Sequence, residues 1–118
     1  MTIEECRRKL QQIRNEYHKQ AQQLESKRQM EIALTLDTWA MENTRFQIGD
    51  IIQSYDTIIK VEKIKGYESE YYNSKGFYCI YMGHVLTKKL QLRKDEWQMS
   101  IYDDGREIKL IRKNNKDD

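Results

Sequence analysis

Apolar side chains recur at intervals of three and four along the first part of the chain. They fall at Ile3, Cys6, Leu10, Ile13, Tyr17 and Leu24, and Gln20 takes one position of the same pattern. This spacing is a heptad repeat, which places a narrow apolar stripe along one side of an α-helix. Thr2 and Glu5 form a capping-box pattern that predicts the start of this helix. We call the stripe over residues 3–24 the seam.

The pattern changes over residues 30–41, where apolar residues lie almost all round the predicted helix. They are Ile32, Ala33, Leu34, Leu36, Trp39, Ala40 and Met41. A helix that is apolar on every side is buried on several sides. We therefore predict one helix over residues 1–43, with a narrow outer seam and a packed inner half.

The seam needs a covering surface, and the sequence leaves two alternatives open. A straight helix of this length spans about 60 Å, whereas a compact body formed by the rest of the chain is only about 30 Å across. The seam could pair with a second copy of the chain, or the helix could break near Ser26–Gln29 and fold back. No glycine or proline marks such a break, which favours pairing. The predicted oligomerisation residues are Ile3, Leu10, Ile13, Tyr17 and Leu24.

After Asn43 the apolar pattern alternates with a period of two, which is typical of β-strands. The segments are QIGDIIQ, TIIKVEKI, FYCIYMGHVL, LQLR, EWQMSIY and EIKLI. Gly66 is predicted to end the second strand, and Asp104-Gly105 predicts a turn. The resulting fold class is α+β: a long N-terminal helix, a small antiparallel barrel or curled sheet over residues 44–113, and a disordered tail over residues 114–118.

Both faces of the segment FYCIYMGHVL are apolar or aromatic, which predicts a central strand. Phe77, Cys79 and Tyr81 share one face, and Tyr78, Ile80 and Met82 share the other. We expect one face to line the barrel and the other to lie under the helix near Leu34, Trp39 and Met41. Tyr78 and Tyr81 are then predicted to be packing residues.

The stretch NTRFQIGDIIQSYDTIIKVEKI resembles the opening of small SH3-like barrels, in which a Gly-Asp step enters the first strand. The likeness covers Phe46–Ile64 well and Cys79–Lys94 more loosely. The stretch is also similar to uncharacterised short proteins of gut bacteria and their phages and mobile elements, which likewise have an N-terminal helix. The resemblance implies the fold and no activity. Within the motif, Gly49 suits a tight backbone path and Asp50 suits local N–H bonds.

Composition excludes several function classes. The net charge is only +2, which by itself does not indicate nucleic acid. The two cysteines, Cys6 and Cys79, and the two histidines, His18 and His84, lack the spacing of a zinc site. No glycine-rich phosphate loop is present. We expect a cytoplasmic protein that is not an enzyme and has no cofactor or metal.

Two candidate surfaces remain. Tyr67, Tyr71 and Tyr72 lie in a predicted polar loop and suit recognition of a protein partner. Lys88, Lys89, Arg93 and Lys94 form a basic segment that suits nucleic acid in a small barrel. The acidic residues Asp95 and Glu96 follow directly. The sequence thus predicts an interaction module that assembles, as a homodimer, through its helix and binds a protein through its barrel, with a nucleic-acid-binding barrel as the alternative.

Overall fold

A computed structural model describes residues 1–69 and 76–114. Within these ranges the chain forms one α-helix followed by six β-strands. The elements are α1 Ile3–Asn43, β1 Ile51–Ser54, β2 Thr57–Lys60, β3 Lys63–Glu68, β4 Phe77–His84, β5 Gln98–Tyr102 and β6 Lys109–Arg112. The predicted α+β class with a long N-terminal helix is confirmed. No helix in the described ranges has both the length and the apolarity that crossing a membrane requires.

Helix α1 begins at the predicted cap and runs without a break. The backbone N–H of Glu5 donates to the hydroxyl of Thr2 at 3.2 Å, which satisfies one of the N–H groups left unpaired at a helix start. The break considered near Ser26–Gln29 does not occur, since the helix is continuous from Ile3 to Asn43. Residues 1–34 form a unit of their own, and every side chain in it is exposed.

The second unit, residues 35–118, begins with the last turns of α1. Ala40 is buried there, and Leu36 and Trp39 are half-buried. The predicted packing of residues 30–41 against the rest of the chain is therefore found only in these last turns, and residues 30–34 are exposed. Leu34 and Met41 are exposed, so the expectation that they cover a sheet was wrong.

The first sheet has the strand order β2-β1-β6 and is antiparallel. A two-residue turn at Tyr55 and Asp56 joins β1 to β2, with Tyr55 at a φ of 54°. Beyond β6, the N–H of Asn114 donates to Oδ1 of Asp50 at 2.8 Å. Residue 114, the first of the predicted tail, is therefore hydrogen-bonded to the first sheet's entry at Asp50, and residues 115–118 lie outside the described part.

The second sheet has the order β3-β4-β5 and is also antiparallel. The segment FYCIYMGHVL contains β4, which lies between β3 and β5. Its predicted position as a central strand is therefore confirmed. The segment TIIKVEKI is divided between β2 and β3, and β3 continues through Gly66 to Glu68, so the prediction that Gly66 ends a strand is wrong. The segment LQLR is not a strand, because among the described residues its β-pairing is limited to an isolated bridge between Leu92 and Leu86.

Where the sequence predicts a small antiparallel barrel or curled sheet, the described residues form two three-stranded antiparallel sheets, and no closed barrel is found among them. The sheets meet where Ile59 of β2 bridges Val85, just after β4. The buried core between them contains Ile52, Ile59, Val61, Tyr81 and Ile101 as its fully buried large side chains.

The last turns of α1 pack on the same face of β4 as this core. The rings of Trp39 and Phe77 lie 5.6 Å apart, and Cys79 Sγ lies 3.7 Å from the carbonyl oxygen of Ala40. Our expectation that α1 covers the opposite face was therefore wrong. The face of β4 that carries Tyr78 faces away from the core.

Candidate functional site

Three tyrosine rings form a row across the outer face of the second sheet. Tyr67 on β3 is the cross-strand partner of Tyr78 on β4, and their ring centroids lie 5.2 Å apart. Tyr78 and Tyr102 of β5 make an edge contact at 6.4 Å. The guanidinium carbon of Arg106 lies 5.6 Å from the centre of the Tyr102 ring. We call these four residues the aromatic row.

The alternation of strand side chains explains why the row forms. Cys79 and Tyr81 of β4 point into the core, so Tyr78, which alternates with them, points outward. The register between β3 and β4 then brings Tyr67 beside Tyr78. Tyr67 is 44% exposed and Tyr102 is 39% exposed, whereas Tyr78 between them is half-buried. Burial, with smaller effects of neighbouring groups, raises the pKa of Tyr78. The row is thus an ordered aromatic surface that water still reaches at both ends.

The same outer face continues along the strands with apolar and basic side chains. Ile80 and Met82 of β4 are half-buried there. Lys63 and Lys65 of β3 lie opposite Met82 and Ile80 in the strand register. The surface therefore combines aromatic and aliphatic contact area with positive charge at its β3 edge.

A cleft of about 600 Å³ lies beside the aromatic row. Trp39 and Phe77 form its apolar wall, and Arg45, Asp103 and Arg106 contribute polar groups. Arg45 donates from Nε and Nη2 to the two carboxylate oxygens of Asp103, each at 2.9 Å. A bidentate pair of this kind has fixed geometry and no net charge.

The second arginine of the cleft is neutralised in the same way. Arg106 donates to Asp104 from Nε at 2.9 Å and from Nη2 at 3.0 Å. The hydrogen bonds from Arg106 hold the pKa of Asp104 below its usual value. Both arginines of the cleft are therefore paired with an aspartate, and these four side chains leave no excess of either charge.

Tyr81 lies at the base of this region and is fully buried. Its hydroxyl donates to Asp103 Oδ2 at 3.3 Å and accepts from the hydroxyl of Thr44 at 3.3 Å. Burial is the main cause that raises the pKa of Tyr81 to about 12. Tyr81 is thus a neutral packing residue, as predicted, and it also orients the Arg45–Asp103 pair.

Cys79 and His84 lie on opposite faces of β4. Cys79 is buried on the core face of β4, and this burial raises the pKa of its thiol, which disfavours the reactive thiolate. His84 Nδ1 instead contacts Glu62 Oε2 at 2.5 Å. The partial burial of Glu62 opposes its ionisation, but the hydrogen bonds from His84 outweigh this effect and lower the pKa of Glu62.

The predicted basic segment lies on the loop between β4 and β5. The guanidinium carbon of Arg93 lies 5.3 Å from the centre of the Trp97 ring, and Arg93 also pairs with Asp95 at 2.8 Å. Trp97 is 52% exposed. Lys88, Lys89 and Lys94 are exposed, and they have no ion pair with any residue in the described ranges.

The structure brings only some of the predicted partner-binding residues together. Tyr67 belongs to the aromatic row, whereas Tyr71 and Tyr72 lie outside the described residues. Tyr102, Arg106 and Trp97 were not among the site residues predicted from the sequence. Period-two alternation in EWQMSIY would have placed Tyr102 on the outer face of its strand, but not beside Tyr78, because the strand order was unknown.

Among the described residues, no group of three or more histidine, cysteine, aspartate or glutamate side chains is arranged to hold a metal ion. No protein family, curated protein or solved structure matches the chain. The resemblance to short proteins of gut bacteria and phages therefore stays a prediction.

Proposed function

We propose that this chain is a non-enzymatic protein-interaction module that binds a protein partner through the outer face of the β3-β4-β5 sheet. The observation that carries the proposal is the aromatic row, whose rings are packed against one another and remain partly exposed. Tyrosine and arginine are enriched among the residues that contribute most to protein binding. Rings already held in place lose little conformational freedom when a partner binds.

The neighbouring cleft supports the same proposal. Its apolar wall of Trp39 and Phe77 suits one inserted apolar side chain, and the Arg45–Asp103 pair offers a polar edge. Interfaces commonly combine such an apolar anchor with a polar rim. We also propose that the two sheets are the halves of an SH3-like arrangement, which the Ile59–Val85 bridge supports. Helix α1 serves in assembly through the seam.

The test compares the proteins captured by immobilised chains from an extract of the source organism. The interface variant is Tyr67→Ala with Tyr102→Ala, and the matched control is Tyr55→Asn, which replaces an exposed tyrosine in the β1–β2 turn. We expect a partner that wild type and the control retain and the interface variant loses. Circular dichroism checks that all three chains fold.

The captured protein is then purified and mixed with the wild-type chain. Hydrogen exchange should slow in β3, β4 and β5 when this partner binds. Identical capture by all three chains, or protection confined to other elements, would contradict the proposal.

A second candidate function is nucleic-acid binding by the loop between β4 and β5. The observation that favours it is the exposed Trp97 ring beside Arg93, with three unpaired lysines nearby, because stacking aromatics and a basic track bind single strands. Asp95 offsets part of this charge, and we therefore rank this function second.

Fluorescence anisotropy with labelled single- and double-stranded DNA and RNA tests it at about 50 and about 200 mM salt. Binding that weakens with salt and is lost in both Lys88→Ala/Lys89→Ala/Lys94→Ala and Trp97→Ala would establish it. No binding at the lower salt concentration would exclude it.

A further inference from the structure

The seam of α1 is an apolar stripe with basic flanks. Its large side chains are exposed along the helix; they are Ile3, Leu10, Ile13, Tyr17 and Leu24. In the heptad that these residues define, Arg7 and Arg14 flank one side and Lys9 and Glu16 flank the other. Within the described ranges, no ion pair is found for Arg7, Lys9 or Arg14. Three cations without an ion pair in the described part of the chain, together with Glu16, therefore border the apolar surface.

A second copy of the chain fits these flanks poorly. In a parallel pair of identical helices, Lys9 of each would face Arg14 of the other, because flanking residues five positions apart meet across the seam. In the antiparallel register that places Leu10 opposite Ile13, Lys9 would meet Glu16 but Arg7 would meet Arg14. Like charges in contact are destabilising. In the antiparallel pair, repulsion between Arg7 and Arg14 therefore offsets the attraction between Lys9 and Glu16. In the parallel pair, the charged flanks only repel each other.

The middle of the seam also disfavours self-pairing. Gln20 occupies a core position of the heptad, and its side-chain amide donates to Glu16 at 3.3 Å. Tyr17, three residues earlier, brings a hydroxyl to the same region. Polar groups at core positions select a partner that can accommodate them. In a symmetric parallel pair, Tyr17 and Gln20 would each meet only a copy of themselves.

We propose that the seam docks an amphipathic helix of a different chain, whose own flanking positions are acidic. Glutamate side chains opposite Arg7, Lys9 and Arg14 would turn each repulsive contact into an attractive one, while the apolar residues of both helices pack together. This inference rests on the assembly role proposed above for α1, and it replaces the predicted homodimer with a heteromeric pair. It involves none of the residues of the aromatic row.

The test uses the full chain and two synthetic helical probes of four heptads with the same leucine and isoleucine core. One probe carries glutamate at every flanking position, and the matched control probe carries lysine. Repulsion between their own flanks keeps both probes from pairing with themselves. We expect the acidic probe to bind at least about tenfold more tightly at low salt, and the difference to shrink as salt screens the charges.

Charge reversal in the chain provides the second comparison. The variant Arg7→Glu/Lys9→Glu/Arg14→Glu, whose changes all lie on exposed positions of α1, should prefer the basic probe. Leu10→Ala/Ile13→Ala should weaken binding of both probes. Equal binding of the two probes by wild type would overturn the proposal.

Sedimentation of the chain alone gives the other decisive outcome. We expect the mass of a monomer over a roughly hundredfold range of concentration, since the average mass of a self-associating chain would increase with concentration. A dimer that Leu10→Ala/Ile13→Ala abolishes would show that a second copy is the occupant. Capture through the aromatic row is measured with Tyr67 and Tyr102 variants, so failure of either proposal is distinguished from failure of the other.

Discussion

The backbone carbonyl of Leu36 in α1 lies where a side chain at Gly66 in β3 would begin. A Cβ atom built on Gly66 would overlap this oxygen, and the Gly66 N–H donates to the Asp37 carboxylate at 3.2 Å. The end of the helix therefore rests directly on the backbone of the strand. This contact explains why β3 contains a glycine in its interior, a position at which glycine otherwise weakens a strand.

Gly66→Ala should destabilise the fold because the helix and the strand must separate to admit a methyl group. We expect a loss of about 1–3 kcal/mol, as in other overpacked sites. Lys65→Ala is the matched control, since its side chain lies on the outer face of the same strand, and it should change stability by less than about 0.5 kcal/mol. Urea unfolding followed by the fluorescence of the half-buried Trp39 measures both. Equal stability of Gly66→Ala and wild type would show that the helix end is not packed this tightly.

Tyr81 should make stability depend on alkaline pH. Its pKa is about 12 in the folded chain, against about 10 in an unfolded chain. A raised pKa means that the folded state holds the proton more tightly, so the contribution is present below pH 10 and is lost as pH rises from about 10 to 12. The loss is about 3 kcal/mol in free energy of unfolding.

Tyr81→Phe is the comparison for this effect because it removes the titrating hydroxyl and keeps the ring. It should cost about 1 kcal/mol at neutral pH, from the hydrogen bonds to Asp103 and Thr44, and the difference from wild type should disappear or reverse above pH 11. Parallel curves for the two chains from pH 8 to 12 would contradict the assignment.

Local patterns predicted the helix and most strands because they depend on neighbours in sequence. The heptad spacing and the Thr2 cap sufficed for α1, and alternation sufficed for β4. The role of Gly66 could not be predicted from the sequence, because a glycine that ends a strand and one that admits a helix look alike there. The difference is the carbonyl of Leu36, thirty residues earlier, which only the folded chain reveals.

The candidate surface was harder to predict than the strands because it depends on which strands are neighbours. Tyr67 and Tyr78 meet through the β3–β4 register, and Tyr102 reaches Tyr78 only because β5 lies on the other side of β4. A one-residue change of register would turn Tyr67 to the core face. The expectation that the core and α1 lie on opposite faces of β4 failed for the same reason, since alternation defines two faces but not which of them the helix covers.

The two cysteines should differ strongly in reactivity. Cys6 is exposed on α1 and Cys79 is buried in the core, where burial raises its pKa. Because the thiolate is the reactive form, a thiol reagent at mildly alkaline pH should modify one cysteine quickly and the second only after denaturant is added. Cys6→Ser should remove the fast phase and leave the slow one, and Cys79→Ala should do the reverse. Two fast phases in the folded wild type would contradict the burial of Cys79.

Asp50 should be essential for the stability of the fold and not for binding of the proposed protein partner. It is buried, and its carboxylate accepts the N–H groups of Gln47 at 2.8 Å and Asn114 at 2.8 Å. The first of these bonds is the local one that the Gly-Asp motif predicts, and the second ties the end of the chain to the entry of β1. Since hydrogen bonds to charged groups each contribute about 1.5–3 kcal/mol, Asp50→Ala should cost about 3 kcal/mol or more.

Asp50→Asn is the control that separates charge from geometry. It retains one acceptor oxygen, so we expect about half of the loss caused by Asp50→Ala, with the remaining N–H group left unsatisfied in a buried position. Asn114→Gly should cost less than either, because it keeps the backbone N–H and loses only the side-chain bond to the Ile48 carbonyl at 3.1 Å. Urea unfolding gives all three values. If Asp50→Ala were as stable as wild type, the carboxylate would not hold these two segments together, and the buried charge would need another explanation, such as a bound ligand.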